Sequence, residues 1–77
     1  MSFIATPSQS PMKNSIKVER AIKGITQEEL ARLVSVSRQT INAMELNKYV
    51  PSTVLALKIA RVFEKPLEQI FSLEEND

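Results

Sequence analysis

Arg38, Gln39 and Asn42 place three hydrogen-bonding side chains within five residues of one another. Arg carries a rigid fork of N–H donors that matches guanine O6 and N7. Gln and Asn each offer a donor and an acceptor, the pair that adenine N7 and N6 complement. Ala43 beside them is small enough to meet a thymine methyl, and Thr40 lies at the flank of the set. Gln27 upstream and Lys48 and Tyr49 downstream could grip phosphates on either side. Each has an ordinary reading alone: a solvated helix surface for the first group, a loop cation for Lys48, core packing for Tyr49. The chemistry available is recognition, not bond-making. A chain of 77 residues with no His and no Cys has no Ser-His or Cys-His nucleophile, no disulfide scaffold, and no thiolate or imidazole metal site. Its carboxylates fall on helix surfaces without a Gly-rich or metal-ligand loop. No enzyme activity, cofactor or metal is therefore expected.

The elements that must position these residues are helices. Asn14 or Ser15 can cap a first helix ending near Lys23, where Gly24 supplies a permissive C-terminal backbone. Thr26-Gln27-Glu28-Glu29 reads as a capping box, with Ile25 and Leu30 at the spacing of a hydrophobic staple. This predicts a second helix over 27–34. Ser37 caps a third helix running to about Leu46, and Val36 with Ile41 repeats the staple. Pro51-Ser52 opens a fourth helix through Phe63 or Glu64, whose Leu55, Ile59, Ala60 and Phe63 share one face. Pro66 suits the first turn of a short fifth helix with Leu67, Ile70 and Phe71 inward. No strand pattern appears, so the fold class expected is all-α. Only Ser35-Val36-Ser37 separates helices two and three. A link that short favours crossed helices, a helix-turn-helix over about 26–46. Leu30, Ala31 and Val34 can then meet Ile41 and Met44, which turns Arg38, Gln39 and Asn42 outward.

Charge supports the same division. All ten Lys and Arg lie in residues 12–65, against five of the nine acidic side chains, a surplus of five. Residues 66–77 carry the other four acids and no base. The net charge of +1 hides a basic body that suits a polyanion and an acidic end kept away from it. Residues 1–12 read as a flexible tail, 13–73 as the single domain, and 74–77 as an acidic tail. The first eleven residues hold no base, so neither a secretory signal nor a transit peptide is expected, and no apolar run approaches a membrane span of ~18 residues. A cytoplasmic, nucleoid-associated location follows as the expectation.

The runs Thr26-Gln-Glu-Glu-Leu-Ala31 and Val36-Ser-Arg-Gln-Thr-Ile-Asn42, followed by Glu45, Lys48-Tyr49 and Pro51-Ser52, resemble the Cro/C1-type helix-turn-helix family of small prokaryotic regulators. The resemblance covers residues 13–71 and is strongest to the compact single-domain subgroup. It implies a five-helix, lambda-repressor-like domain that binds double-stranded DNA as a homodimer on paired half-sites. The helix from Arg38 to Leu46 would enter the major groove. Arg38, Gln39, Asn42 and Ala43 would read bases; Gln27, with Thr40, Lys48 and Tyr49, would hold phosphates. It also implies a largely buried ion pair between Arg20 and Glu45 that orients the recognition helix.

Three departures stand out. Ser35, Asn47 and Glu64 occupy positions where the family usually has Gly, and a left-handed backbone costs a non-Gly residue about 1 kcal/mol or more. Leu46 stands where an Asn often bonds a phosphate, so either Lys48 compensates or Leu46 packs on a partner. Phe71 and Leu73 either close the domain's own core or form a partner surface. The functional class expected is a sequence-specific transcriptional regulator, most simply a repressor. The alternatives are an antitoxin that binds a toxin protein and represses its own synthesis, and a protein-interaction module that leaves DNA unbound.

Overall fold

Residues 12–73 are the part of the chain described by the structure, a computed structural model. Five helices follow in order: α1 (Ile16–Lys23), α2 (Gln27–Val34), α3 (Arg38–Glu45), α4 (Thr53–Phe63) and α5 (Leu67–Ile70). Two three-residue strands bracket them, β1 (Met12–Asn14) and β2 (Phe71–Leu73). They pair antiparallel, Met12 opposite Leu73 and Asn14 opposite Phe71. The fold is thus not strictly all-α. Met12, counted above with the N-terminal tail, is the first residue of β1. The rest of that tail and the acidic residues 74–77 lie outside the described residues. A two-stranded ribbon has little stability of its own. This one is secured because Phe71 is buried, Met12 packs against the core, and the Ser15 N–H donates to Ile70 O at 2.9 Å.

Local signals set the helix boundaries. Thr26 Oγ1 accepts from the Glu29 N–H at 3.0 Å while Glu29 Oε1 accepts from the Thr26 N–H at 2.8 Å, which completes the capping box. Ser37 Oγ accepts from the Thr40 N–H and Ser52 Oγ from the Leu55 N–H, both at 3.2 Å. At α1 the work is divided. Asn14 Oδ1 accepts from the Ile16 N–H at 3.1 Å, and Ser15 Oγ donates instead to Gln69 O at 3.2 Å.

Three of the helix ends share one geometry. Ser35 (φ 64°), Asn47 (φ 60°) and Glu64 (φ 56°) are left-handed. After α2 the Val36 N–H reaches Ala31 O and the Ser35 N–H reaches Arg32 O. Lys48 and Asn47 repeat the pattern onto Ala43 and Met44 after α3, as do Lys65 and Glu64 onto Ala60 and Arg61 after α4. These are Schellman closures, in which a residue other than Gly carries the strained position. The fourth, after α1, uses Gly24 at φ 79°.

The core forms where these elements cross. Leu30, Ala31 and Val34 of α2 and Ile41 and Met44 of α3 are buried together with Ile16, Ile59, Phe63, Ile70 and Phe71. α2 packs on both α3 and α4, and α4 on α5. Glu19 is a charged residue buried in the fold. Its Oε2 accepts from Lys65 Nζ at 2.7 Å, which ties α1 to the turn after α4.

Candidate nucleic-acid interface

α3 has two opposite faces because Ile41 and Met44 are fixed in the core. Arg38, Gln39 and Asn42 are therefore exposed, Ala43 and Thr40 half-buried. Thr40 Oγ1 lies 3.0 Å from Ser37 Oγ. Lys48 and Tyr49 are exposed in the loop that leaves the helix. Of the residues expected to read bases, Arg38, Gln39 and Asn42 are thus exposed together and Ala43 only partly, and of those expected at phosphates Lys48 and Tyr49 are exposed while Gln27 and Thr40 are half-buried. Phe71 is not available to a partner: it is 6% exposed and belongs to the chain's own core. Its neighbour Leu73 is 65% exposed, and Leu46 is 55% exposed.

Beneath this face sits a polar network centred on Glu45. Arg20 Nε donates to Glu45 Oε2 at 2.6 Å and Arg20 Nη2 to Glu45 Oε1 at 3.1 Å. Arg20 Nη1 donates to Ile25 O at 3.1 Å, the carbonyl one residue before the capping box. The side chains are 15% and 5% exposed, so the pair is largely withdrawn from water. Burial alone would push the Glu45 carboxyl up. Hydrogen bonds from Arg20 and Gln27, with the charges of Arg20 and Lys17, outweigh it and hold the carboxyl below its ordinary value of 4.5. The hydrogen bond to Glu45 in turn raises Arg20. The pair joins α1 to the last turn of α3.

Gln27 extends the network to the surface. Its Nε2 donates to Glu45 Oε1 at 2.9 Å and to Asn42 Oδ1 at 3.1 Å, while its Oε1 faces Arg38 Nη1 at 3.4 Å. Both amide hydrogens are therefore engaged within the chain. What Gln27 and Glu28 still present outward are their backbone N–H groups, which no carbonyl inside α2 can reach. A groove lined by Gly24, Thr26, Gln27, Glu28 and Arg38 runs past this helix start.

Sequence reasoning missed one residue that matters here. Asn14 Nδ2 donates to Met44 O at 2.7 Å and to Asn47 Oδ1 at 3.1 Å. It thereby holds the C-terminal end of α3, where carbonyls lack helical partners. The signal was half visible, since Asn14 stood out as a cap for α1. Nothing in the local sequence shows its second attachment.

Residues 16–70 match the family model described as helix-turn-helix. An uncharacterized HTH-type transcriptional regulator of Methanocaldococcus jannaschii is 50% identical over 66 residues, covering 86% of this chain and all of that protein. One from Bacillus subtilis is 48% identical over 66 residues with the same coverage. The crystal structure of a candidate DNA-binding protein from Bacteroides fragilis aligns at a TM-score of 0.72 with 33% identity, over 79% of this chain and 98% of that one. No helix among the described residues is long and apolar enough to cross a membrane. With its capped α2, three-residue turn and exposed Arg38-Gln39-Asn42 face, the chain belongs to the helix-turn-helix family of Cro/C1 type.

Proposed function

We propose that the chain is a transcriptional regulator that binds double-stranded DNA by sequence and represses by occupying its operator. α3 lies in the major groove, with Arg38, Gln39, Asn42 and Ala43 toward base edges. Thr40, Lys48, Tyr49 and the backbone N–H of Gln27 meet phosphates around it. The observation that carries this reading is the division of α3. Ile41, Met44 and Glu45 anchor one side, and the other presents three exposed base-matching side chains. The names borne by the archaeal and Bacillus relatives, each matched over its whole length, favour the same class.

One such helix reads only about half a typical operator, so two copies on half-sites one helical turn apart complete the site. Exposed Leu73 and Leu46 are the apolar groups offered to the second copy. The test is selection of bound sequences from random duplexes, repeated with Arg38→Ala and Gln39→Ala. Loss of preference at defined bases supports direct readout. Even weakening across all sequences would reassign both side chains to the phosphates.

A further inference from the structure

The donor and acceptor identities in the network are not interchangeable, and they run in one direction from the interior to the surface. Glu45 is held as a carboxylate by Arg20 and can only accept. The Gln27 amide must therefore turn its nitrogen toward Glu45 Oε1, 2.9 Å away. That same nitrogen lies 3.1 Å from Asn42. A donor there requires Asn42 to present its oxygen. Arg38, which can only donate, faces the Gln27 oxygen and agrees with this orientation. The amide of Asn42 is thereby fixed with Oδ1 inward, and among the described residues nothing accepts from Nδ2.

We propose that Asn42 reads DNA as a hydrogen-bond donor and that Gln27, oriented by the Glu45 carboxylate, sets this polarity. Gln27 is then a positioning residue for base readout in addition to holding α2 against α3. A free Asn amide favours adenine, donating to N7 while accepting from N6. With its oxygen turned to Gln27, Asn42 offers two N–H donors, and guanine, whose major-groove edge carries two acceptors at N7 and O6, is the base that satisfies both. Cytosine, which presents only its N4 donor, is the base it rejects. The inference rests on the DNA-binding reading above and deepens it by naming the base type at one position.

The experiment is selection of bound duplexes with the wild-type chain and with Asn42→Ala, Asn42→Asp and Gln27→Leu, each checked by thermal melting to be folded. Asn42→Ala identifies the position by flattening preference there. At that position the wild type is expected to prefer guanine over adenine by at least about fivefold, the lower end of what one well-made base contact discriminates. Asn42→Asp still accepts from Gln27, so the fold is kept, but it has lost its donor. Its preference should move to cytosine. Gln27→Leu frees the Asn42 amide to turn over, and adenine should rise to equal or exceed guanine. Adenine preferred by the wild type would overturn the proposal. So would a Gln27→Leu chain that binds every duplex more weakly with the guanine preference unchanged, because that is what a purely structural or phosphate-holding Gln27 would give. A wild-type chain with no preference at any position would instead remove the sequence-specific DNA reading on which the proposal rests.

Discussion

Replacing Glu45 by Gln tests how far the fold around α3 depends on its ion pair with Arg20. Three N–H donors converge on this carboxylate: Arg20 Nε, Arg20 Nη2 and Gln27 Nε2. An amide offers one oxygen and turns an NH2 group toward the others. Whichever way it rotates, at least one donor faces another donor, and the Arg20 charge loses its counter-ion. Removing one partner of a buried pair costs about 3–5 kcal/mol. Arg20 is 15% exposed and keeps its bond to Ile25 O, so the lower end applies, about 3 kcal/mol. A domain of 60–100 residues loses about 4–8 °C of Tm per kcal/mol, so Glu45→Gln should melt about 12–24 °C below the wild type at neutral pH. Circular dichroism melts measure this directly. The double variant Arg20→Met with Glu45→Met removes both charges and should recover most of the loss, since the penalty lies in the stranded charge. A Glu45→Gln chain melting within about 4 °C of the wild type, under 1 kcal/mol on the same conversion, would show that Arg20 is not left stranded by the loss of the carboxylate.

The pair also gives stability a pH signature. Because the folded Glu45 carboxyl sits below its ordinary 4.5, its contribution is complete above that value and is lost as pH falls through the lower one. The stability gap between wild type and Glu45→Gln, read from urea melts, should be constant above 4.5 and close below it. Glu64 holds a left-handed backbone at an exposed helix end. Glu64→Gly relieves strain of about 1–2 kcal/mol against an unfolded-state entropy cost of about 0.4–1, so the variant should gain about 0.5–1 kcal/mol in the same melts. Asn14→Ala removes the bonds to the Ile16 N–H and to the Met44 carbonyl together. It should cost about 1–3 kcal/mol and raise hydrogen exchange in the last turn of α3, with the α4 amides unchanged if α3 opens locally.

What could be read from the sequence was mostly local. The Thr26–Glu29 capping box, the Ser37 and Ser52 caps and the inward faces of α2 to α4 depend on residues three or four apart, and they fixed these helices nearly to the residue. The three positions lacking the usual Gly marked where the backbone turns left-handed, because a helix closed in this way needs that conformation whatever residue occupies it. The β1–β2 ribbon was not legible. Three residues are too few for an alternation pattern, and Met12 finds Leu73 across the whole domain. The same distance hid the Glu19–Lys65 pair and the reach of Asn14 to Met44, which join residues 46 and 30 positions apart. The Arg20–Glu45 pair was named through family resemblance, because no local spacing links α1 to the end of α3. At the surface, residue types identified Gln27 and Asn42 as polar groups. Only the three-dimensional network shows that the Gln27 side chain faces Glu45 and Asn42, which is why the proposed phosphate contact falls to its backbone N–H.

The proposed function requires this basic domain to bind DNA both by charge and by sequence. Equilibrium binding of the wild-type chain to a selected duplex and to a scrambled one, across a range of salt, tests it most directly. Log K should fall with log salt on both duplexes at about −0.9 per phosphate neutralised. The selected duplex should be bound at least about 10³-fold more tightly at physiological salt. Equal affinity for both duplexes, unchanged by salt, would contradict it.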